Sequence, residues 1–142
     1  MNSQTSTIAL ETRRAAATTS DLLAATGRVL LAAIFVLSGV SKLADPAGTI
    51  AYITSAGLPA PSLAYGVAVI VELVGGLLLI AGFRTRIVAS AIAAFSLAAA
   101  FGFHSNLADQ NQFIHFFKNV AMAGGLLQVA AFGSGRFGFD RR

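Results

Sequence analysis

Glu72 stands near the middle of an apolar stretch from Ser62 to Gly82, and a second apolar stretch carries His115, Lys118 and Asn119 in its first turns. An acidic side chain at the centre of a bilayer costs about 2.5–3.5 kcal/mol on insertion scales, so ionisable residues there face an interior and take a partner. Counting 1.5 Å per residue puts Glu72 roughly 15 Å below the outer end of its span and Lys118 roughly 7–8 Å below the end of its own. A lysine stem bridges that difference, which makes Lys118 the expected partner. The pair has two readings: an ion pair that only fixes helix register, or one wall of a pocket for a quinone headgroup, a proton or a small polar ligand. Alternatively Lys118 snorkels outward and leaves Glu72 without it.

The other chemistry-bearing residues are fewer. Lys42 reads as a span-end lysine that snorkels to the interface, with a place in the site as the lesser alternative. His104 and His115 flank one polar loop with Asp109 between them, a spacing that matches no metal motif, so no metal site is assigned. The chain has no cysteine, which excludes disulfides, thiolate metal sites and a redox CxxC. No Ser- or Cys-based nucleophile arrangement can be read around either histidine, and no catalytic residue is assigned.

These residues must be positioned by helices in a membrane. At 142 residues, 56% hydrophobic and 11% charged, the chain is too apolar for a soluble domain of one-domain length. A net charge of +4 raises nucleic acid as a partner, but the basic residues sit at span ends rather than on one polar face, so none is assigned. A span needs about 20 apolar residues. Four stretches meet that length approximately, at about 27–44, 62–82, 87–103 and 113–132, giving an all-α integral membrane four-helix bundle over residues 27–133. Residues 1–26 read as an N-terminal tail, partly disordered, and 134–142 as a C-terminal tail. A cleaved signal peptide is disfavoured because no A-x-A-like site follows the first apolar run.

Basic residues orient the spans. Arg13, Arg14, Arg28, Arg84, Arg86, Arg136, Arg141 and Arg142 fall on one side, whereas only Lys42 marks the loops of the other. The positive-inside rule places both termini in the cytoplasm. Phe83 to Arg86 is a tight inner connection. In the first outer loop Asp45 suits an N-cap, Pro46 the first helical position and Gly57 a helix stop, so a short interfacial helix is expected from Pro46 to Ala56. Helical spacing places Phe35, Ser38, Gly39 and Lys42 on one face, Glu72, Gly75, Gly76 and Leu79 on another, and His115, Lys118, Asn119 and Met122 on a fourth. The third span offers Ser90, Ala93, Leu97 and Ala100, ending at His104. The repeat of Gly75-Gly76-Leu77-Leu78 as Gly124-Gly125-Leu126-Leu127 hints at duplication, although paired glycines also serve close helix packing in lipid.

Arg28 to Leu43, Val71 to Arg86, His104, Phe116 to Leu127 and the Gly133 to Asp140 tail together resemble the DoxX family of small four-span bacterial membrane proteins. The similarity extends over residues 27–140. The resemblance implies an inner-membrane location and singles out Glu72, Lys42, His104, Lys118 and Asn119 as positions to test. It also implies a link to a thiosulfate:quinone oxidoreductase, whose subunit gave the family its name, or to defence against thiol and oxidative stress. The expectation is an accessory or quinone-interacting subunit of a membrane redox system, in contact with the bilayer and with a redox subunit or further copies of itself, rather than a self-sufficient enzyme. A small proton-linked transporter and a ligand-free assembly protein are the alternatives.

Overall fold

The computed structural model describes residues 2–140 and is built of helices and short connections. Met1, Arg141 and Arg142 of the expected tails lie outside the described residues. Helix α1 runs from Asn2–Ala44. It was expected to begin near Gly27, but nothing upstream stops it: residues 2–26 contain no proline or glycine and are rich in alanine, leucine and threonine. The hydroxyls of Thr12, Thr18 and Thr19 each donate to the carbonyl four residues back, as exposed hydroxyls do within a helix. At 43 residues α1 is about 64 Å long, roughly twice the thickness of the hydrocarbon.

Helix α2, Pro46–Ser55, begins as its sequence dictates, with Pro46 in its first turn and the Asp45 carboxylate accepting the Gly48 amide at 2.9 Å. It is followed by a continuous rod, Pro61–Ala81. The rod consists of α3 (Pro61–Val69), one π turn (Ile70–Val74) and α4 (Gly75–Ala81). Helix α5 spans Thr85–Phe103 and α6 spans Gln110–Phe132, the latter capped by Asp109 through the Gln112 amide.

Helix α1 packs along the rod, α5 along α6, and α4 against α5. The core they enclose is made of Ala32, Phe35, Leu79, Ala89, Ile92, Ala93, Ala123 and Leu126. The four alanines among them permit close helix approach, and Phe35, Leu79, Ile92 and Leu126 fill the remaining space. A Cβ on Gly76 would lie 2.8 Å from Val36, and one on Gly125 3.1 Å from Leu31, so the second glycine of each pair is the contact surface for α1. On α5 the buried stripe is Ala89, Ile92, Ala93, Ser96 and Ala100; Ser90 and Leu97, expected to face inward, are exposed. Ala93 and Ala100 of the expected stripe are buried as expected, and the buried face takes Ala89 and Ser96, one position before Ser90 and Leu97.

The outside of the molecule is apolar. Leu30, Leu37, Leu63 and Ile87 are each 64–70% exposed, which is the inverse of a water-soluble surface. Among the described residues, three helical stretches are long and apolar enough to cross a bilayer: Leu10–Ala44, Pro61–Ala81 and Thr85–Phe103. Helix α6 is long enough, but Gln110, Asn111, Gln112, His115, Lys118 and Asn119 dilute its first half.

Candidate functional site

The polar residues singled out by sequence converge on a cavity of about 670 Å³ at the end of the bundle that carries His104 and α2. Lys42, Glu72, His104, His115, Lys118 and Asn119 all line it, together with Phe35, Tyr52, Phe95, Phe103 and Met122. The pairing within it differs from expectation. Glu72, buried, forms an ion pair with the Lys42 ammonium at 2.7 Å and accepts from the Ser38 hydroxyl at 3.2 Å, while Lys42 donates to Ser38 at 2.8 Å. Lys118 is exposed and lies 3.0 Å from His115 Nδ1 instead.

Side-chain direction explains the exchange of partners. The Cα–Cβ bond tilts toward the N-terminus of its helix. Helix α1 runs toward the histidine-bearing end, so Lys42 leans back into the bundle, toward Ser38 one turn below, and does not snorkel outward. The rod and α6 run the opposite way, so Glu72 leans toward Lys42 while Lys118 leans toward His115 and the surface.

The π turn is the feature that the sequence did not reveal. The Gly75 amide reaches the carbonyl of Ile70, five residues earlier, widening the rod at Glu72. β-Branched Ile70, Val71 and Val74 crowd an ordinary turn here and weaken its hold. The bulge rests on Gly39, where a Cβ would lie 2.8 Å from Leu73 Cβ and 2.9 Å from its backbone nitrogen. Sequence spacing could have flagged Gly39, which lies between Ser38 and Lys42 on the same helix, but not the extra residue in the turn facing it.

At the mouth, the rings of His104 and His115 stack with centroids 5.0 Å apart and 24° between planes. Burial, then the nearby His115 and Lys118, push His104 below the usual histidine range. Asn119 donates to the His115 carbonyl at 2.9 Å, and Tyr52 stacks on Phe103 at 5.4 Å. Such a wall combines planar apolar surfaces with a few fixed donors, which suits a flat ring bearing polar oxygens.

The opposite end is closed by the C-terminal segment, which was expected to be a simple tail. Arg28, buried, donates to the carbonyls of Ser134 at 3.1 Å and Phe137 at 2.9 Å. The Asp140 carboxylate accepts the amides of Arg84 at 2.8 Å and Thr85 at 2.6 Å, capping α5 from 55 residues away. Those amide bonds hold Asp140 below the usual carboxylate range.

The DoxX family model matches residues 23–105, a stretch that contains α2, the rod, α5 and all of α1 from Leu23 onward. The chain belongs to the DoxX family. Among curated relatives, inner membrane protein YqjF of Escherichia coli is 37% identical over 114 residues, covering 80% of this chain and 86% of that protein. Inner membrane protein YphA of Escherichia coli is 35% identical over 120 residues, covering 81% of this chain and 86% of that protein. No solved structure matches. Both names agree with the apolar exterior: this DoxX protein is a bacterial inner membrane protein. Within the family match lie Lys42, Glu72 and His104; His115, Lys118 and Asn119 lie beyond it, on α6.

Proposed function

We propose that this DoxX protein is a membrane subunit that seats the headgroup of a lipophilic quinone in the cavity at its histidine-bearing end, next to a partner that carries the redox centre. The observation that supports it most is the Lys42 ammonium, held at 2.7 Å by a buried Glu72 on a π turn, in a cavity walled by Phe35, Phe95 and Phe103. A quinone offers a flat ring and two opposed carbonyl oxygens. In this reading Lys42 would donate to one oxygen, and His115, Lys118 and Asn119 would supply donors at the mouth for the other. Glu72 and Ser38 keep the lysine amine in place and do not themselves contact the ring. The quinone, when bound, would accept electrons and protons. The chain has no cysteine and no recognised cofactor motif, so the electrons would come from the partner.

The same reading takes α6 as a fourth span, about 34 Å long, with its polar half turned to the cavity, and places the arginine-bearing end in the cytoplasm. The test is binding of a short-chain ubiquinone analogue to the purified protein, followed by titration calorimetry. Glu72→Gln and Lys42→Met should each weaken binding about tenfold or more, with Arg13→Gln unchanged. Equal affinity in all three variants would overturn the quinone assignment.

One observation favours a second reading, in which Glu72 works as a proton-linked transport site: the ion pair lines an accessible cavity, with the Lys42 side chain a quarter exposed. Proteoliposome uptake driven by a pH gradient and abolished by Glu72→Gln would select it over quinone binding.

A further inference from the structure

A second cavity, of about 850 Å³, lies at the far end of the molecule, between the start of α5, the end of α6 and the folded C-terminal segment. Arg84, Arg86 and Arg136 line it. Asp140 is the one acidic residue in the lining, and its two oxygens are already taken by the backbone amides of Arg84 and Thr85. Among the described residues, none of the three guanidinium groups comes within 4.0 Å of a carboxylate. Three arginines therefore line a concave surface whose one lining carboxylate, Asp140, is held by backbone amides, with Asp21 beside Gly135, so positive charge is in excess there.

The wall bearing Arg136 is built rather than loose. Buried Arg28 fastens the Ser134 and Phe137 carbonyls, and the Phe139 and Asp140 amides donate to the carbonyls of Ala81 and Gly82. Gly82 makes this closure attainable: its φ is +70°, and a Cβ there would strike Arg28 and lie 2.7 Å from Gly138 Cα. Beside the arginines the lining turns apolar, with Ile87 64%, Phe132 77% and Phe137 48% exposed. A free anion has no use for that rim; a lipid has.

We propose that this cavity seats the phosphodiester headgroup of an anionic phospholipid, with its acyl chains lying over Phe132 and Ile87. Guanidinium groups grip phosphate oxygens in pairs, and basic pockets between spans at the membrane surface select anionic headgroups by charge. The site is separate from the quinone cavity and does not depend on that reading.

The test uses the full-length protein in a neutral detergent, with dioleoyl phosphatidylglycerol, dioleoyl phosphatidylcholine and inorganic phosphate as probes, read by native mass spectrometry and thermal unfolding. The unaltered chain should retain phosphatidylglycerol in preference to phosphatidylcholine, and its unfolding midpoint should rise with the former alone. Arg84→Gln combined with Arg136→Gln should weaken phosphatidylglycerol retention about 25-fold, from roughly fivefold for each of the two charges near a membrane surface. Arg13→Gln combined with Arg14→Gln, outside the cavity, should leave it unchanged. Equal retention of the two lipids would overturn the proposal, as would equal loss in both double variants. Inorganic phosphate that displaces the lipid and raises the midpoint as much would assign the site to a soluble anion instead. Should the Arg84 and Arg136 variant fail to fold, the lipid preference of the unaltered chain still decides.

Discussion

Lys42 is only two residues from the end of α1, a place where lysines ordinarily extend toward headgroups, yet its amine is turned inward onto Ser38 and Glu72. Removing it strands a buried carboxylate. Breaking a fully buried pair from one side costs about 3–5 kcal/mol, and the partial exposure of Lys42 reduces this to about 2 kcal/mol. Lys42→Met should therefore lower unfolding stability in detergent by about that amount, Lys118→Met by much less, and Lys42→Met combined with Glu72→Leu should recover most of the loss. A Lys118 variant as damaging as the Lys42 variant would restore the pairing that depth alone suggests. The sequence disclosed which residue types lie in the site because ionisable groups are rare in apolar stretches. It misassigned their partners because depth was counted between Cα atoms, while side chains lean toward the start of their own helix. His104 gives a second check at this scale. With its neutral form favoured in the fold, its titration by NMR should fall below 6.5, and Lys118→Met should move it part of the way back, burial being the larger cause. Because the unfolded chain then binds the extra proton, this residue's effect on stability worsens as pH falls from 6.5 toward the folded value.

Among the elements, α2 was legible almost to the residue, because Asp45, Pro46 and Gly57 are start and stop signals with local mechanisms. The π turn was not, since one extra residue inside a run of Ile70, Val71 and Val74 leaves the apolar pattern intact. Its consequence is a strict demand on the facing helix. Gly39→Ala would push a methyl group into the Leu73 backbone, and overpacking of this kind costs about 1–3 kcal/mol. Gly124→Ala meets nothing within 4 Å and should be neutral or stabilise by about 0.5–1 kcal/mol through helix propensity. Unfolding of the two variants side by side measures the difference; equal behaviour would mean that the bulge can retreat from α1. If the turn also sets the position of Glu72, Gly39→Ala should weaken quinone-analogue binding as well. The C-terminal clasp is likewise an element that no local signal announces, for its contacts join Asp140 to Arg84 and Thr85 across the chain. Its carboxylate, held below 3.8, stabilises fully above that value and loses its contribution as pH falls through the lower folded one. Asp140→Asn should flatten the acid limb of the stability profile.

For the whole molecule, polarity is inverted along the helices: alanines, glycines and the charged Arg28 and Glu72 lie inside, Leu30, Leu37, Leu63 and Ile87 outside. That arrangement makes the two ends unlike. One gathers Lys42, His104, His115 and Lys118 around a cavity with aromatic walls; the other gathers Arg84, Arg86 and Arg136 around a clasp. Helix α5, apolar enough to span, by itself sets Arg84 and His104 on opposite faces; the side on which Arg136 lies depends on α6, whose composition argues both ways, polar for half its length and apolar for the rest. Packing favours crossing, because α6 packs on α5, itself apolar enough to span, and buries Ala123 and Leu126 against the common core. The absence of cysteine makes the question directly measurable. Leu107→Cys, in the loop before α6, should react with a membrane-impermeant maleimide on intact spheroplasts. Arg136→Cys, beyond α6, and Arg86→Cys, after α4, should react only once the membrane is opened. Reaction of Leu107→Cys and Arg136→Cys from the same side would lay α6 on the surface, open the cavity to lipid along one flank and remove the donors that a quinone's second oxygen needs.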